Sequence, residues 1–376
     1  MSENQRYEFM TIDRPLTREQ LAAVNRLSSH IEASATHAVI EYQWGDFKHD
    51  PIEVLRQYFD GFLYWANWGT PRLAFRFPHG ALPGTLVDAY DLEESVTFTQ
   101  YADFDILDMR FNDLEPPDEW IDYELGSMIA AREELMDGDA RALYIVWLAA
   151  NHMLGANDEE EEYEVDAPPV PPGLATPTAA QHAVADLFRL PEEVLVAAGR
   201  HSQRASAAPD DDLAAWVRLL PPERRDDYLV RLAGNEPGLS RALVTELREL
   251  GRGKPEPSSA GERVTFATIL AESADVKDEL EAERRRQAAA AHQRMLRKIH
   301  DHQEDYWARA EEGAARGSSA GYDEAAQALV ELREAAARFD ETARFEERFQ
   351  TWVRPHLRRP ALLKRFGEHR FIVPVG

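Results

Sequence analysis

Residues 157–177 read NDEEEEYEVDAPPVPPGLATP, and the character of the chain changes across them. An acidic run followed by five prolines holds too few apolar side chains to offset the entropy of ordering. Residues 158–177 therefore read as an acidic, proline-rich linker. Before it, strand and helix patterns alternate; after it, every pattern is helical. The sequence predicts an acidic α+β N-terminal domain over 1–157, a mixed small sheet with helices. An all-α C-terminal domain over 178–376 follows, with a long helix and a helical hairpin. GRGKPEPSSAG (251–261) marks a sub-boundary, and GAARGSSAG (313–321) a turn between helices.

Working back from the linker, Asp137-Gly138-Asp139 separates helices predicted over 120–136 and 139–154. Residues 95–101 and 104–111 read as a hairpin, and 72–77 as a half-buried strand in which Leu73, Phe75 and Phe77 alternate with Arg72, Ala74 and Arg76. Asp50 before Pro51 starts a helix, and its stripe Ile52, Leu55, Phe59, Phe62, Ala66 carries that helix to 66. Strands are expected at 7–12 and 37–43. Between them Thr17–Gln20, TREQ, is a capping box: the Thr hydroxyl accepts a free backbone N–H and the Gln side chain reaches back.

Working forward, LPEEVLVAAG (190–199) and LPPERRDDYLVRLAG (220–234) place Pro at a helix start and Gly at its end. Residues 272–312 read as one helix about 60 Å long at about 1.5 Å per residue, with Ala291, Met295, Ile299, His302 and Tyr306 as its stripe. It is also a candidate surface for a homodimer or coiled coil. Tyr322, Ala325, Leu329, Leu332, Ala336 and Phe339 form a second stripe; Phe345, Phe349, Trp352 and His356 form a third. Joined near Asp340, the last two predict the hairpin.

The 376 residues carry a formal charge of −26. Residues 1–166 hold 11 Lys and Arg against 34 Asp and Glu, and the rest 31 against 34. The N-terminal half therefore repels nucleic acid, whose binding needs cations at phosphates, and suits a basic protein partner. The C-terminal arginine clusters at 284–286, 294–298 and 354–365 are interleaved with acids and read as solvated helix faces. Absence of cysteine excludes disulfides, thiolate metal sites and cysteine nucleophiles. The start MSENQRYEF has no basic-then-apolar leader, and no apolar stretch reaches the roughly 20 residues of a membrane span. A cytoplasmic protein is expected, with no membrane contact.

YEFMTIDRPLT (7–17), YQWGDFKHDP (42–51) and YFDGFLYWANWGT (58–70) resemble the N-terminal segment of a group of uncharacterised bacterial proteins. WVRLLPPERRDDYLVRLAG (216–234), YDEAAQALVELREAA (322–336) and RPHLRRPALLKRF (354–366) resemble the helical part of the same group. Some members are grouped with SWIM-type zinc-finger proteins. The resemblance implies no activity. A SWIM finger needs cysteine ligands, which this chain lacks, so zinc binding of that kind does not carry over.

No phosphate loop, GxSxG elbow or HExxH is present; GRGK (251–254) lacks the spacing of a P-loop. Asp103, Asp105 and Asp108 are metal candidates, because alternate strand residues share a face and carboxylates hold Mg²⁺. They also read as acids guarding an edge strand. In HDHQED (300–305), His300 and Glu304 are one helical turn apart. The aromatics from Tyr58 to Trp68 read as core, yet Trp44-Gly45-Asp46 and Asn67-Trp68-Gly69 put an indole beside a glycine at an element end. Trp44, Asp46, Trp68, Arg72 and Arg76 thus form a candidate recognition surface. With no catalytic motif, the leading expectation is an adaptor or assembly component of a bacterial multi-protein system, needing no cofactor. The alternatives are a metal-dependent hydrolase of nucleotides or phosphoesters using the three aspartates, and an acidic mimic of nucleic acid.

Overall fold

The computed structural model describes residues 4–82, 84–90, 92, 95–112, 114, 121–157, 167–204, 212–234, 239–252 and 263–373. The chain forms two compact units, Met1–Lys277 and Asp278–Gly376.

The first unit is built on a seven-stranded antiparallel sheet of order β2-β3-β1-β4-β5-β7-β6. The strands are β1 Gln5–Met10, β2 Ile31–Ala33, β3 His37–Tyr42, β4 Gly61–Ala66, β5 Arg72–Pro78, β6 Val96–Gln100 and β7 Phe104–Arg110. Helices α1 Arg18–Val24 and α2 Pro51–Tyr58 supply apolar side chains to one sheet face. There Tyr7, Phe9, Ile40, Phe62 and Ala74 form a core with Val24, Leu55 and Phe59. Both starts follow the sequence: Thr17 and Gln20 complete their capping box, and Asp50 accepts from Ile52 N at 2.9 Å. Glu53, in the first turn, bonds Arg56 and Gln57.

The helix expected to run to 66 stops at Tyr58, and Gly61–Ala66 is a central strand. GFLYWA is apolar on both faces because both faces of this strand are covered, so its pattern matches a buried helix as well as a buried strand. Gly61 lets the helix layer approach closely: a Cβ would lie 2.5 Å from Ile129 Cδ1, which would have to shift. That contact belongs to the layer on the second face, which begins with α3 Gly84–Asp88, α4 Leu125–Met128, α5 Ala130–Met136 and α6 Arg141–Asn157. Residues 142–150 of α6 are all buried. No helix among the described residues is long and apolar enough to cross a membrane.

Residues 158–166 of the expected linker lie outside the described residues, as do 253–261 of the expected sub-boundary. The rest of the linker, 167–177, is packed. Ala167, Val170 and Leu174 are buried, and Pro169 pairs with Arg263. Prolines preset an extended backbone at little entropic cost, so apolar residues between them pack readily. The unit continues with α7 Ala179–Leu187, α8 Glu192–Arg200, α9 Leu213–Trp216, α10 Pro222–Ala233 and α11 Leu239–Arg252. The chain divides into these units between Lys277 and Asp278, inside α12 Phe266–Asp301.

Helix α12 ends at His302, whose backbone (φ −121°, ψ 30°) is not helical, and α13 Gln303–Arg316 begins after it. The single helix expected over 272–312 is thus two. His302 Nδ1 engages the Lys298 carbonyl at 3.0 Å, giving that acceptor a local partner. Of the expected stripe, Ile299 is fully buried but Met295 is exposed, with Leu296 buried beside it. Every residue of 283–295 is exposed.

The second unit adds α14 Ser319–Arg338, α15 Thr342–Val353 and α16 Pro360–Glu368. Its core holds Trp307, Leu329, Leu332, Phe345, Phe349 and Phe366. The expected α14–α15 hairpin is present, turning at Asp340 with φ +59°. The 313–321 segment is the expected turn, with Gly317 left-handed and Ser318 capping Gly321 N at 3.1 Å. It is also a close helix crossing. A Cβ on Gly313 would lie 2.6 Å from the Gly321 carbonyl oxygen and 3.0 Å from Ala325 N. Backbone atoms cannot move aside as side chains can, so Gly313→Ala should cost about 1–3 kcal/mol by overpacking. Gly367→Ala in α16, which meets nothing within 4 Å, should be neutral or stabilising. Thermal denaturation of both variants checks the contrast; equal melting temperatures would remove the crossing as its cause.

Candidate functional site: the aromatic end of the sheet

Two loops rise from one end of the sheet, one after β3 and one after β4. In the first, Phe47 is buried against Tyr7, with ring centroids 5.3 Å apart, while Trp44 is 68% exposed. Gly45 between them has φ +92°, a conformation that favours glycine. In the second, Trp68 is 38% exposed, so it is not the core residue that a helix through 66 would make it. Gly69 beside it has φ +89°, and a Cβ there would fall 1.8 Å from the Leu114 carbonyl oxygen. No other residue fits.

The start of β1 ties the loops together. Asn4 and Asn67 exchange hydrogen bonds, Asn4 N to Asn67 Oδ1 at 3.1 Å and Asn67 N to the Asn4 carbonyl at 3.0 Å. Gln5, 3% exposed, donates through Nε2 to the Gly45 carbonyl at 2.6 Å and to Asp46 Oδ1 at 3.0 Å. Its Oε1 accepts from the Tyr7 hydroxyl at 2.8 Å and the Tyr64 hydroxyl at 3.2 Å. Burial pushes both phenols above their ordinary pKa, so both stay protonated donors at neutral pH. The amide of Gln5 is thereby saturated on both ends, and the loops sit on a rigid base.

Trp44, Asp46, Trp68 and Arg72 lie at this end of the sheet. Arg72 makes a two-pronged pair with Asp108, at 2.8 and 2.7 Å. Arg76 lies further along β5, toward the other end, and belongs to a structural network. It donates to Asp60 Oδ1 at 2.6 Å and to the Arg56 carbonyl at 2.9 Å. Asp60, 1% exposed, accepts from Ile12 N at 2.6 Å and Asp13 N at 3.0 Å. Fully buried Arg132 of α5 donates to the Arg76 carbonyl at 2.7 Å and to Asp13 at 2.8 Å. These bonds fasten a helix layer to the sheet, which removes Arg76 from the recognition surface.

The three metal candidates do not converge. Asp105 and Asp108 are three residues apart on β7, an odd spacing that puts them on opposite faces. Fully buried Asp105 accepts from Gly80 N at 2.8 Å and faces His79 Nδ1 at 2.9 Å. Asp108 holds Arg72, and Asp103 is exposed before the strand. Among the described residues no group of three or more His, Asp or Glu is placed to hold a metal ion. His300 and Glu304 are separated by the helix break at His302, and Glu304 bonds Arg348.

Sequence reasoning missed Gln5 and Arg110 at this end, and read Tyr64 as core. Their partners are 59 and 40 residues away for Gln5, and across a strand pair for Arg110, which stands opposite Arg72. No local spacing encodes such pairings. No family model matches this chain, and no curated protein or solved structure matches it.

Proposed function

We propose that the chain is a cytoplasmic interaction protein, an adaptor that engages a basic protein partner through the aromatic end of its sheet. One observation carries this reading: two exposed indoles stand at the same end of the sheet, after the two strands that flank β1, on glycine-pinned loops whose base is a saturated buried amide. Exposed aromatics on rigid loops are the groups that dominate protein interfaces. The acidic surroundings, with exposed Glu41, Asp46 and Asp50 near Trp44, select a cationic partner and speed its encounter. The C-terminal helices extend the chain's contacts as an assembly component.

The test is the double variant Trp44→Ala, Trp68→Ala. Trp44 is 68% exposed and its loss should cost little. Trp68, 38% exposed, buries part of its ring and its loss should cost about 1–3 kcal/mol, so partner retention is compared well below the variant's melting temperature. A tagged wild-type chain should retain from its native cell a partner that the double variant loses, in a salt-dependent manner. Retention of the same partners by the variant would overturn the reading.

A further inference from the structure

Between the start of α2 at Pro51 and the β5–β7 pair lies a cavity of about 200 Å³. That is below the range of about 300–1,000 Å³ found for whole cofactors and drug-sized ligands, and it has room for one ring. Phe62, Pro71, Phe111 and the rings of Tyr7 and Tyr64 line it. The two phenol hydroxyls are engaged by Gln5, so the wall presents aromatic carbon. Thr70 Oγ1, in the same lining, is buried beside the Tyr64 hydroxyl.

At the rim, Arg72 and Arg110 are direct partners across β5 and β7, on one sheet face. Like charges opposite each other destabilise a sheet. Asp108 neutralises Arg72 alone. Exposed Arg110 has no acid partner among the described residues, which leaves one uncompensated positive charge beside an aromatic cavity in a strongly acidic half of the chain.

We propose that this cavity binds an aromatic ring bearing a single carboxylate, with the ring enclosed by Tyr7, Tyr64 and Pro71 and the carboxylate on Arg110. One spare guanidinium matches one negative charge. A dianion would meet the carboxylates of Asp46, Asp50 and Asp108 with only that cation to offset them. The group has two sources of the same chemistry: a free aromatic acid, or the C-terminal Phe or Tyr of a protein. The choice of the second source rests on the adaptor reading; the ring and carboxylate do not.

Titrate the full chain, followed by nuclear magnetic resonance, with N-acetylphenylalanine, its amide, a hexapeptide ending in Phe, and that peptide's amide. The acids should bind about tenfold or more tighter than their amides, the ratio expected for a charge-assisted hydrogen bond. Arg110→Gln should abolish that ratio with an unchanged melting temperature. A peptide tighter than the free acid assigns the source to a protein terminus; equal binding assigns it to a small molecule, and both sustain the site. No binding by either acid, equal binding of acid and amide, or an Arg110→Gln variant indistinguishable from wild type would overturn it. If acid binding fails while the Trp44, Trp68 variant still loses its partner, the cavity assignment falls and the adaptor reading stands. The converse result separates them the other way.

Discussion

Asp60→Ala should destabilise the first unit by about 3–5 kcal/mol, the cost of breaking a buried ion pair from one side. The substitution strands the Arg76 guanidinium and leaves the Ile12 and Asp13 backbone N–H groups without their acceptor. Each buried orphan adds its own desolvation cost. Because Arg132 shares the Arg76 carbonyl and Asp13, the damage should reach the α5 layer. Urea denaturation followed by amide exchange in β1 and β4 measures it. Removing the charge on both sides, Asp60→Leu with Arg76→Met, should recover part of the loss. A single variant within about 1 kcal/mol of wild type would show that the network adds little to stability.

Phe349→Ala should cost the second unit about 3–5 kcal/mol. Phe349 is fully buried and lies 4.8 Å from Phe371, 5.6 Å from Phe366 and 6.1 Å from Phe345, centroid to centroid. A ring missing from the middle of such a cluster leaves a cavity that three other rings, each held from its far side, cannot close. The thermal transition reported by Trp307 and Trp352 fluorescence should shift strongly, while amide exchange in the β-sheet should not change. A shift confined to a few tenths of a kcal/mol would mean that the cluster collapses around the gap.

Local grammar was legible in the sequence. TREQ, Asp50-Pro51, Asp137-Gly138-Asp139 and the Asp340 turn each act within a few residues, and each is where its chemistry puts it. So are β1, β3, β5, β6, β7 and the α14–α15 hairpin, whereas the three-residue edge strand β2 had no pattern of its own. What escaped was set by distant packing. Gly61–Ala66 became a strand because layers cover both its faces, and 167–177 packed because Arg263 and its neighbours receive it. The site was half legible: the Trp-Gly pairs announced two loops, but only the register of β1 against β4 and of β5 against β7 brings Tyr7 to Tyr64 and Arg72 to Arg110. Arg76 pointed to recognition by alternation alone and was claimed by Asp60, whose helix-end position gave no warning.

The place of β1 in the sheet carries a consequence for the order of synthesis. It lies between β3 and β4, hydrogen-bonded on both edges. Yet it leaves the ribosome first, some 30 residues ahead of β3 and more than 50 ahead of β4. A nascent chain must therefore carry both unpaired edges of this interior strand, with Tyr7 and Phe9 uncovered, until the partners emerge. Glu8 waits longer still, since its contact with Leu125 N is made by a residue 117 positions downstream. Translation speed across residues 10–66 thus becomes a variable in the yield of native protein, and synonymous codon changes there should alter how much chain partitions to chaperones while leaving the finished fold untouched.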